Sequence, residues 1–215
     1  RHRRAAPHAL AMGRGSDDPE VLQVHTNADS KFTAGEAWHT DVSCDPNPIA
    51  ASALYMHHAP DGGGGDTVFS SMAVAYDELS DPIKALIGGL SAVHDGALPY
   101  TTVYGNAPEA GKAFNKTVHP LVIRHPVSGR KLLWINQGFV TKIVGLNRVE
   151  NKHLMDMLFH HIETTLIAQC RVRWYDNTLV LWDNIGTQHH AVWDYFPNSR
   201  AAERISVVGG ELRAA

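Results

Sequence analysis

The sequence predicts a mainly β fold with helical inserts, arranged as a double-sheet jelly roll. Three observations predict it: many short strand-length stretches, turn-forming residues between them, and a single long amphipathic helix that comes late in the chain. The 215 residues are enough for one sizeable core, and no composition shift or linker marks a second unit, so residues 1–215 read as one domain.

Taken in order, residues 5–20 carry Pro7, Gly13, Gly15, Asp17, Asp18 and Pro19, which is the punctuation of a loop. Val21–Thr26 alternates as a strand does, and residues 27–36 are polar and turn-rich. A second strand is predicted over 37–43. Asp45-Pro46-Asn47-Pro48 then breaks the chain before an apolar run over 49–58 that fits a buried strand, with His57 and His58 at its edge. The four glycines before Asp66 lack the Lys-Ser/Thr pair of a phosphate loop and read as a tight turn into a short strand over 67–69. Residues 70–79 and 82–90 read as two short helices, with Ser71 as an N-cap and Pro82 in the first turn of the second. Ser91–Asp95 resumes extended structure, and 96–116 reads as a long loop.

Two strands over 117–124 and 131–136 are joined through Pro126-Val127-Ser128-Gly129 as a hairpin. Asn147, with Glu150 three residues on, opens the long helix, whose Leu154, Met157, Leu158, Ile162 and Leu166 recur at helical spacing and read as packing. Residues 171–175 and 179–182 form a predicted hairpin around Asp176-Asn177, and 205–209 is the last strand. His161-Ile162-Glu163 falls within the helix, where positions i and i+2 face nearly opposite ways, and reads as a solvated face.

Composition narrows the function. A net charge of -3 argues against a general nucleic-acid binder. No apolar run approaches a membrane span, and the start lacks a signal-peptide core, so the expectation is a soluble, cytoplasmic protein. Cys44 and Cys170 are too few for a disulfide framework and read as reduced thiols. The chain begins at Arg1, not Met, and reads as a domain lacking its N-terminal portion. The basic cluster Arg1, Arg3, Arg4 and Arg14 reads as a solvated loop.

Chemistry concentrates in Trp38-His39-Thr40-Asp41-Val42. On a strand, His39 and Asp41 share a face and can reach one ion. With 14 His and 14 Asp in the chain, composition alone supplies about one His-X-Asp by chance, so the pair needs a third ligand. His189, in Thr187-Gln188-His189-His190, supplies one, while alternation turns His190 away. Two imidazoles and a carboxylate with positions left open suit a non-haem iron(II) oxygenase, and a zinc hydrolase can use the same set. Arg200 and Arg204 follow, on or beside the last strand, where a guanidinium near the metal can fork a carboxylate.

At this point the chain resembles the taurine dioxygenase family, iron(II)/2-oxoglutarate-dependent oxygenases of TauD/TfdA type. The resemblance runs from about residue 20 to 210 through the His39 motif, Gly64-Gly65-Asp66-Thr67, Val93-His94-Asp95, His119-Pro120-Leu121-Val122, Trp182-Asp183-Asn184, Thr187-Gln188-His189, Asp194-Tyr195 and Arg200. It implies a double-stranded β-helix, cupin-like core, with His39, Asp41 and His189 as catalytic iron ligands. It further implies that Thr67 and Arg200 bind the distal carboxylate of 2-oxoglutarate and that Arg204 binds an anionic group of the substrate. Phe69 and Trp182 are placed to wall the site with apolar surface.

The implied cofactors are Fe(II), 2-oxoglutarate and dioxygen, with ascorbate as an aid in vitro. The implied reaction hydroxylates a small anionic molecule of the sulfonate, sulfate-ester or carboxylate class, releasing succinate and carbon dioxide. A non-catalytic member that binds metal or 2-oxoglutarate is the alternative, and a homo-oligomer fits either. Two departures concern the substrate. Where taurine-using members carry a His and a Tyr, the nearest counterparts are Arg3 and Ala6, and Ile185 stands where an arginine is common after Trp-Asp-Asn.

Overall fold

The computed structural model describes residues 18, 20–103, 105, 108 and 113–215. The basic cluster of Arg1, Arg3, Arg4 and Arg14, together with Ala6 and most of the predicted 5–20 loop, lies outside the described residues. In chain order the strands are β1 (Val21–Thr26), β2 (Ala51–His58), β3 (Thr67–Ser71), β4 (Ser91–Asp95), β5 (Lys116–Pro120), β6 (Val122–Arg124), β7 (Lys131–Leu133), β8 (Val140–Ile143), β9 (Gln169–Val172), β10 (Leu179–Asp183), β11 (Thr187–Ala191), β12 (Arg200–Val207) and β13 (Arg213–Ala214). Helices α1 (Met72–Asp77) and α2 (Asp81–Ile87) lie between β3 and β4, and α3 (Arg148–Thr164) lies between β8 and β9. The protein is therefore mainly β with helical inserts.

Two antiparallel sheets position the site. One has the order β1-β12-β2-β10 and the other β11-β3-β9. Along β2, Ser52, Leu54 and Met56 are buried and their neighbours are not, the period of two expected of a strand with one covered face. Leu54, Met56, Trp182 and Ala202 of the first sheet share an apolar cluster with Phe69 of the second and with Trp174, so the sheets meet face to face there. A second, larger cluster joins Trp134, Leu132 and Leu133 to Met72 and Tyr76 of α1 and to Leu158 and Ile162 of α3.

The helices begin as their sequences indicate. The Ser71 hydroxyl accepts from the Val74 amide at 3.4 Å, and Pro82 sits in the first turn of α2, where its missing N–H goes unused. Asn147 and Glu150 form a reciprocal capping box on α3. His161, expected on a solvated face, is instead half-buried, with Nε2 2.8 Å from the Ala75 carbonyl, and ties α3 to α1.

The structure departs from expectation in three places. The 117–124 stretch splits at Leu121, a fully buried residue whose amide donates to Leu90 O at 2.9 Å. As a result β5 joins β4, while β6 alone forms the hairpin with β7. The predicted hairpin over 171–182 does not exist as a pair: β9 pairs with β3 and β10 with β2, in different sheets. The turn is still present, with Asn177 at φ 63°, but it carries the chain from one sheet to the other. The expected loop over 96–116 includes a π-helical turn at Leu98–Val103.

Candidate metal centre

His39 and His189 face each other across one isolated antiparallel bridge. The His39 amide donates to His189 O at 3.1 Å, and the His189 amide to His39 O at 2.9 Å. That exchange holds the two imidazoles side by side, their ring centroids 4.1 Å apart. The strand predicted over 37–43 shrinks to this bridge. Beyond Thr40 the chain turns over residues 41–44, with Val42 at φ 54°, so Asp41 reaches the histidines through a turn and not by strand alternation.

Asn184 sets that turn. Its side chain accepts from the Asp41 amide at 3.0 Å and donates to the carbonyls of Asp41 at 3.1 Å and Ile49 at 2.9 Å. This is a physical role for the last residue of Trp182-Asp183-Asn184. Asp183 accepts from the amides of Ile185 and Gly186 and shapes the turn into β11, the strand that carries His189.

One ligand atom from each of His39, Asp41 and His189 can be chosen so that all three lie within 4.8 Å of one another. His39 Nε2 is 3.5 Å from Asp41 Oδ1, and His189 Nε2 is 3.9 Å from Asp41 Oδ2. His39 Nδ1 lies 2.7 Å from the Ala37 carbonyl, which places its N–H there and leaves the Nε2 lone pair facing the centre.

Burial, then the neighbouring His39, pushes the His189 pKa down to about 3, so its imidazole is neutral at physiological pH. Burial alone would raise Asp41, but Arg204, His189 and His39 outweigh it and hold the carboxyl well below the usual range. Neutral imidazoles and an ionised carboxylate are the protonation states a divalent cation needs. The donor set therefore fits a mononuclear metal with sites left open.

The triad opens into a cavity of about 620 Å³ between the two sheets, whose walls include Thr67, Phe69, Trp182, Arg200 and Arg204. Phe69 lies 5.7 Å from the His189 ring and 5.6 Å from Trp182, centroid to centroid, so the two aromatics shield one side of the histidine. Arg200 is buried with its Nε unpartnered, and its guanidinium lies 5.7 Å from the Trp174 ring centroid. Among the described residues no carboxylate forms an ion pair with it, and burial lowers its pKa. The Trp174 indole donates to Thr67 Oγ1 at 3.0 Å, so Trp174 brings Thr67 and Arg200 into one corner. Arg204 Nη1 donates to Asp41 Oδ1 at 2.6 Å, and Ser52 Oγ donates to Asp41 Oδ2 at 3.2 Å.

His190 faces elsewhere, edge-on to Trp38, and His57 pairs with Glu203 at 3.1 Å, away from the triad. Sequence reasoning missed Ser52, Trp174 and Gly138. A Cβ at Gly138 would sit 2.7 Å from His39 Cβ, so only a glycine lets this segment pass the ligand. No local signal marks Ser52 or Gly138, whereas Asn184 was visible as part of a motif.

Two histidines and an aspartate beside a buried arginine, which pairs with no carboxylate among the described residues, make this a candidate mononuclear metal site in a mainly β protein. The chain belongs to the TauD/TfdA family: the sequence model described as "Taurine catabolism dioxygenase TauD, TfdA family" matches residues 7–207. It is 38% identical over 200 residues to alpha-ketoglutarate-dependent dioxygenase cnsM of Penicillium expansum, covering 88% of this chain and 56% of that protein. It is 36% identical over 182 residues to the alpha-ketoglutarate-dependent sulfate ester dioxygenase of Pseudomonas putida, covering 80% of this chain and 60% of that one. The crystal structure of a taurine dioxygenase from Burkholderia xenovorans superposes with a TM-score of 0.80 at 29% identity, covering 99% of this chain and 73% of that one. The chain thus spans less than two thirds of the length of either sequence relative. Among the described residues no helix is long and apolar enough to cross a membrane.

Proposed function

We propose that this chain is an Fe(II)- and 2-oxoglutarate-dependent dioxygenase that hydroxylates a small organic anion of the sulfonate, sulfate-ester or carboxylate class, with release of succinate and carbon dioxide. The observation that carries the reading is the His39-Asp41-His189 triad opening into the same cavity as a buried guanidinium that forms no ion pair with a carboxylate among the described residues. A buried charge of this kind is costly until a ligand of opposite sign joins it, and 2-oxoglutarate brings a carboxylate at the end remote from its metal-binding keto acid. The names of the Pseudomonas and Burkholderia relatives support the sulfonate and sulfate-ester classes. The two sheets that meet across the cavity are read as the halves of a jelly roll, and residues 1–215 as one domain.

In this reading His39, Asp41 and His189 hold Fe(II), which when bound supplies dioxygen activation and oxidation of the co-substrate. Arg200 and Thr67 hold the distal carboxylate, and the Trp174 N–H keeps Thr67 in place so that its hydroxyl proton is free to point at the anion. Phe69 and Trp182 keep water from one flank of His189, which strengthens the charge interactions within. Arg204 lies beside the triad as the partner for an anionic substrate group.

The test is succinate formation from 2-oxoglutarate under air with iron(II) and ascorbate, across sulfonates, sulfate esters and aryloxy acids. One compound should stimulate turnover in the parent protein, and His39→Ala should abolish it. Folded protein that binds iron and 2-oxoglutarate but turns over nothing would replace this reading with a non-catalytic one.

A further inference from the structure

We propose that Arg204 is a counter-ion shared by the metal site and the anion site, so that a small oxyanion bound to Arg204 tightens metal binding at Asp41. This rests on the reading of His39, Asp41 and His189 as metal ligands.

The two oxygens of Asp41 are held differently. Oδ2 accepts from the neutral Ser52 hydroxyl, whereas Oδ1, the oxygen that faces His39 Nε2, accepts from a guanidinium carrying a full charge. That guanidinium is not the sole restraint on Asp41. Asn184 clamps the backbone of Asp41 through two hydrogen bonds, and Ser52 fixes the other oxygen.

What Arg204 adds that these neutral contacts do not is charge. A cation on a ligand oxygen withdraws electron density from it and repels an arriving divalent ion at short range. At the same time Arg204 is only partly used: its Nε is buried with no hydrogen-bond partner, and the residue lines the cavity. An oxyanion in the cavity satisfies that donor and offsets the charge, which lifts the penalty on the metal. By linkage the metal then favours the oxyanion equally. A side chain that merely orients Asp41 predicts the opposite sign, since loss of an orienting partner weakens a metal site.

The experiment measures Mn(II) affinity by the electron paramagnetic resonance signal of the free hydrated ion, without 2-oxoglutarate, for the parent protein, Arg204→Gln, Arg204→Lys and Ser52→Ala. Each is titrated in chloride, methanesulfonate or acetate at equal ionic strength, so that the sulfonate and carboxylate arms separate the two anion sources. Arg204→Gln is expected to bind Mn(II) about tenfold tighter than the parent, Arg204→Lys within about threefold of it, and Ser52→Ala about tenfold more weakly. Methanesulfonate or acetate should tighten the parent several-fold relative to chloride and leave Arg204→Gln unchanged.

The proposal is overturned if Arg204→Gln binds Mn(II) no tighter than the parent, or if the anion effect persists in that variant. Should Arg204→Gln fail to fold, the parent alone decides: equal affinity in all three anions overturns it. Failure of the functional reading shows differently, as absence of succinate formation whatever the order of Mn(II) affinities.

Discussion

Gly138 shows how much of the centre depends on a residue that contributes no ligand. Its amide donates to Trp38 O at 3.1 Å, which fixes the segment against the strand end that bears His39, and an added methyl would overlap His39 Cβ. Since both atoms belong to constrained backbone positions, Gly138→Ala must move one segment or the other by several tenths of an ångström. The expected result is a ten- to hundredfold loss of Mn(II) affinity, comparable to loss of a supporting partner, with about 1–3 kcal/mol lost from urea unfolding. Unaltered Mn(II) affinity would show that the loop yields and His39 does not. His39, Asp41, His189 and Arg200 could be picked out of the sequence because the roles proposed for them reside in side-chain chemistry. Gly138 and Ser52 act through position alone, and nothing in their own residue types announces it.

Local rules succeed at the scale of elements wherever the stabilising contacts are local. The capping box of α3 is one case: Asn147 Oδ1 accepts from the amides of Val149 and Glu150, and the Glu150 carboxylate accepts from the Asn147 amide. Asn147→Ala should cost about 1 kcal/mol in chemical denaturation. Because α3 buries Leu158 and Ile162 in the larger cluster and contributes no side chain to the cavity, Mn(II) affinity should stay unchanged. A parallel loss of affinity would mean that the helix positions the triad after all. Strand partners are a different matter. Residues 171–175 and 179–182 carry hairpin chemistry around Asp176-Asn177, yet β9 and β10 leave for separate sheets, because β3 and β2 offer them hydrogen-bonding edges from about a hundred residues or more away in sequence. Period and turn type specify that a strand exists and which face is apolar; they do not name its neighbour. The same limit turned the predicted strand over 37–43 into a single bridge, although the convergence of His39 and Asp41 survives through the Asn184 clamp.

Across the whole molecule, the β4–β5–β8 sheet meets the turn bearing Asp41 at a buried polar cluster, and this couples acid stability to the architecture. The Asn136 amide donates to Ser43 Oγ at 3.0 Å, and His94 Nδ1 lies 3.0 Å from the same oxygen, within hydrogen-bonding distance. His94 is fully buried against His119 and Trp134, with Nε2 unpartnered. Burial, then His119, pushes its pKa down to about 3. A histidine with a folded pKa below its unfolded value of about 6.5 favours the fold fully above that unfolded value. The contribution is lost progressively as pH falls toward the folded pKa, because the unfolded chain takes up the proton first. Asp41, whose pKa is depressed, works in a lower window: its contribution is present above the ordinary carboxylate range of about 4 and fades only below it. Between about pH 6.5 and 4, then, the loss belongs to buried histidines. His94→Gln isolates one of them, since the glutamine amide offers Ser43 either a donor or an acceptor and cannot titrate. Urea unfolding in a chelator should show the stability advantage of the parent over His94→Gln shrinking by about 2 kcal/mol between pH 7 and pH 5. An advantage that holds constant over that range would mean that His94 takes up its proton equally in both states, and the loss of stability in mild acid would then be sought at His119, His189 and His190, whose pKa values burial also lowers.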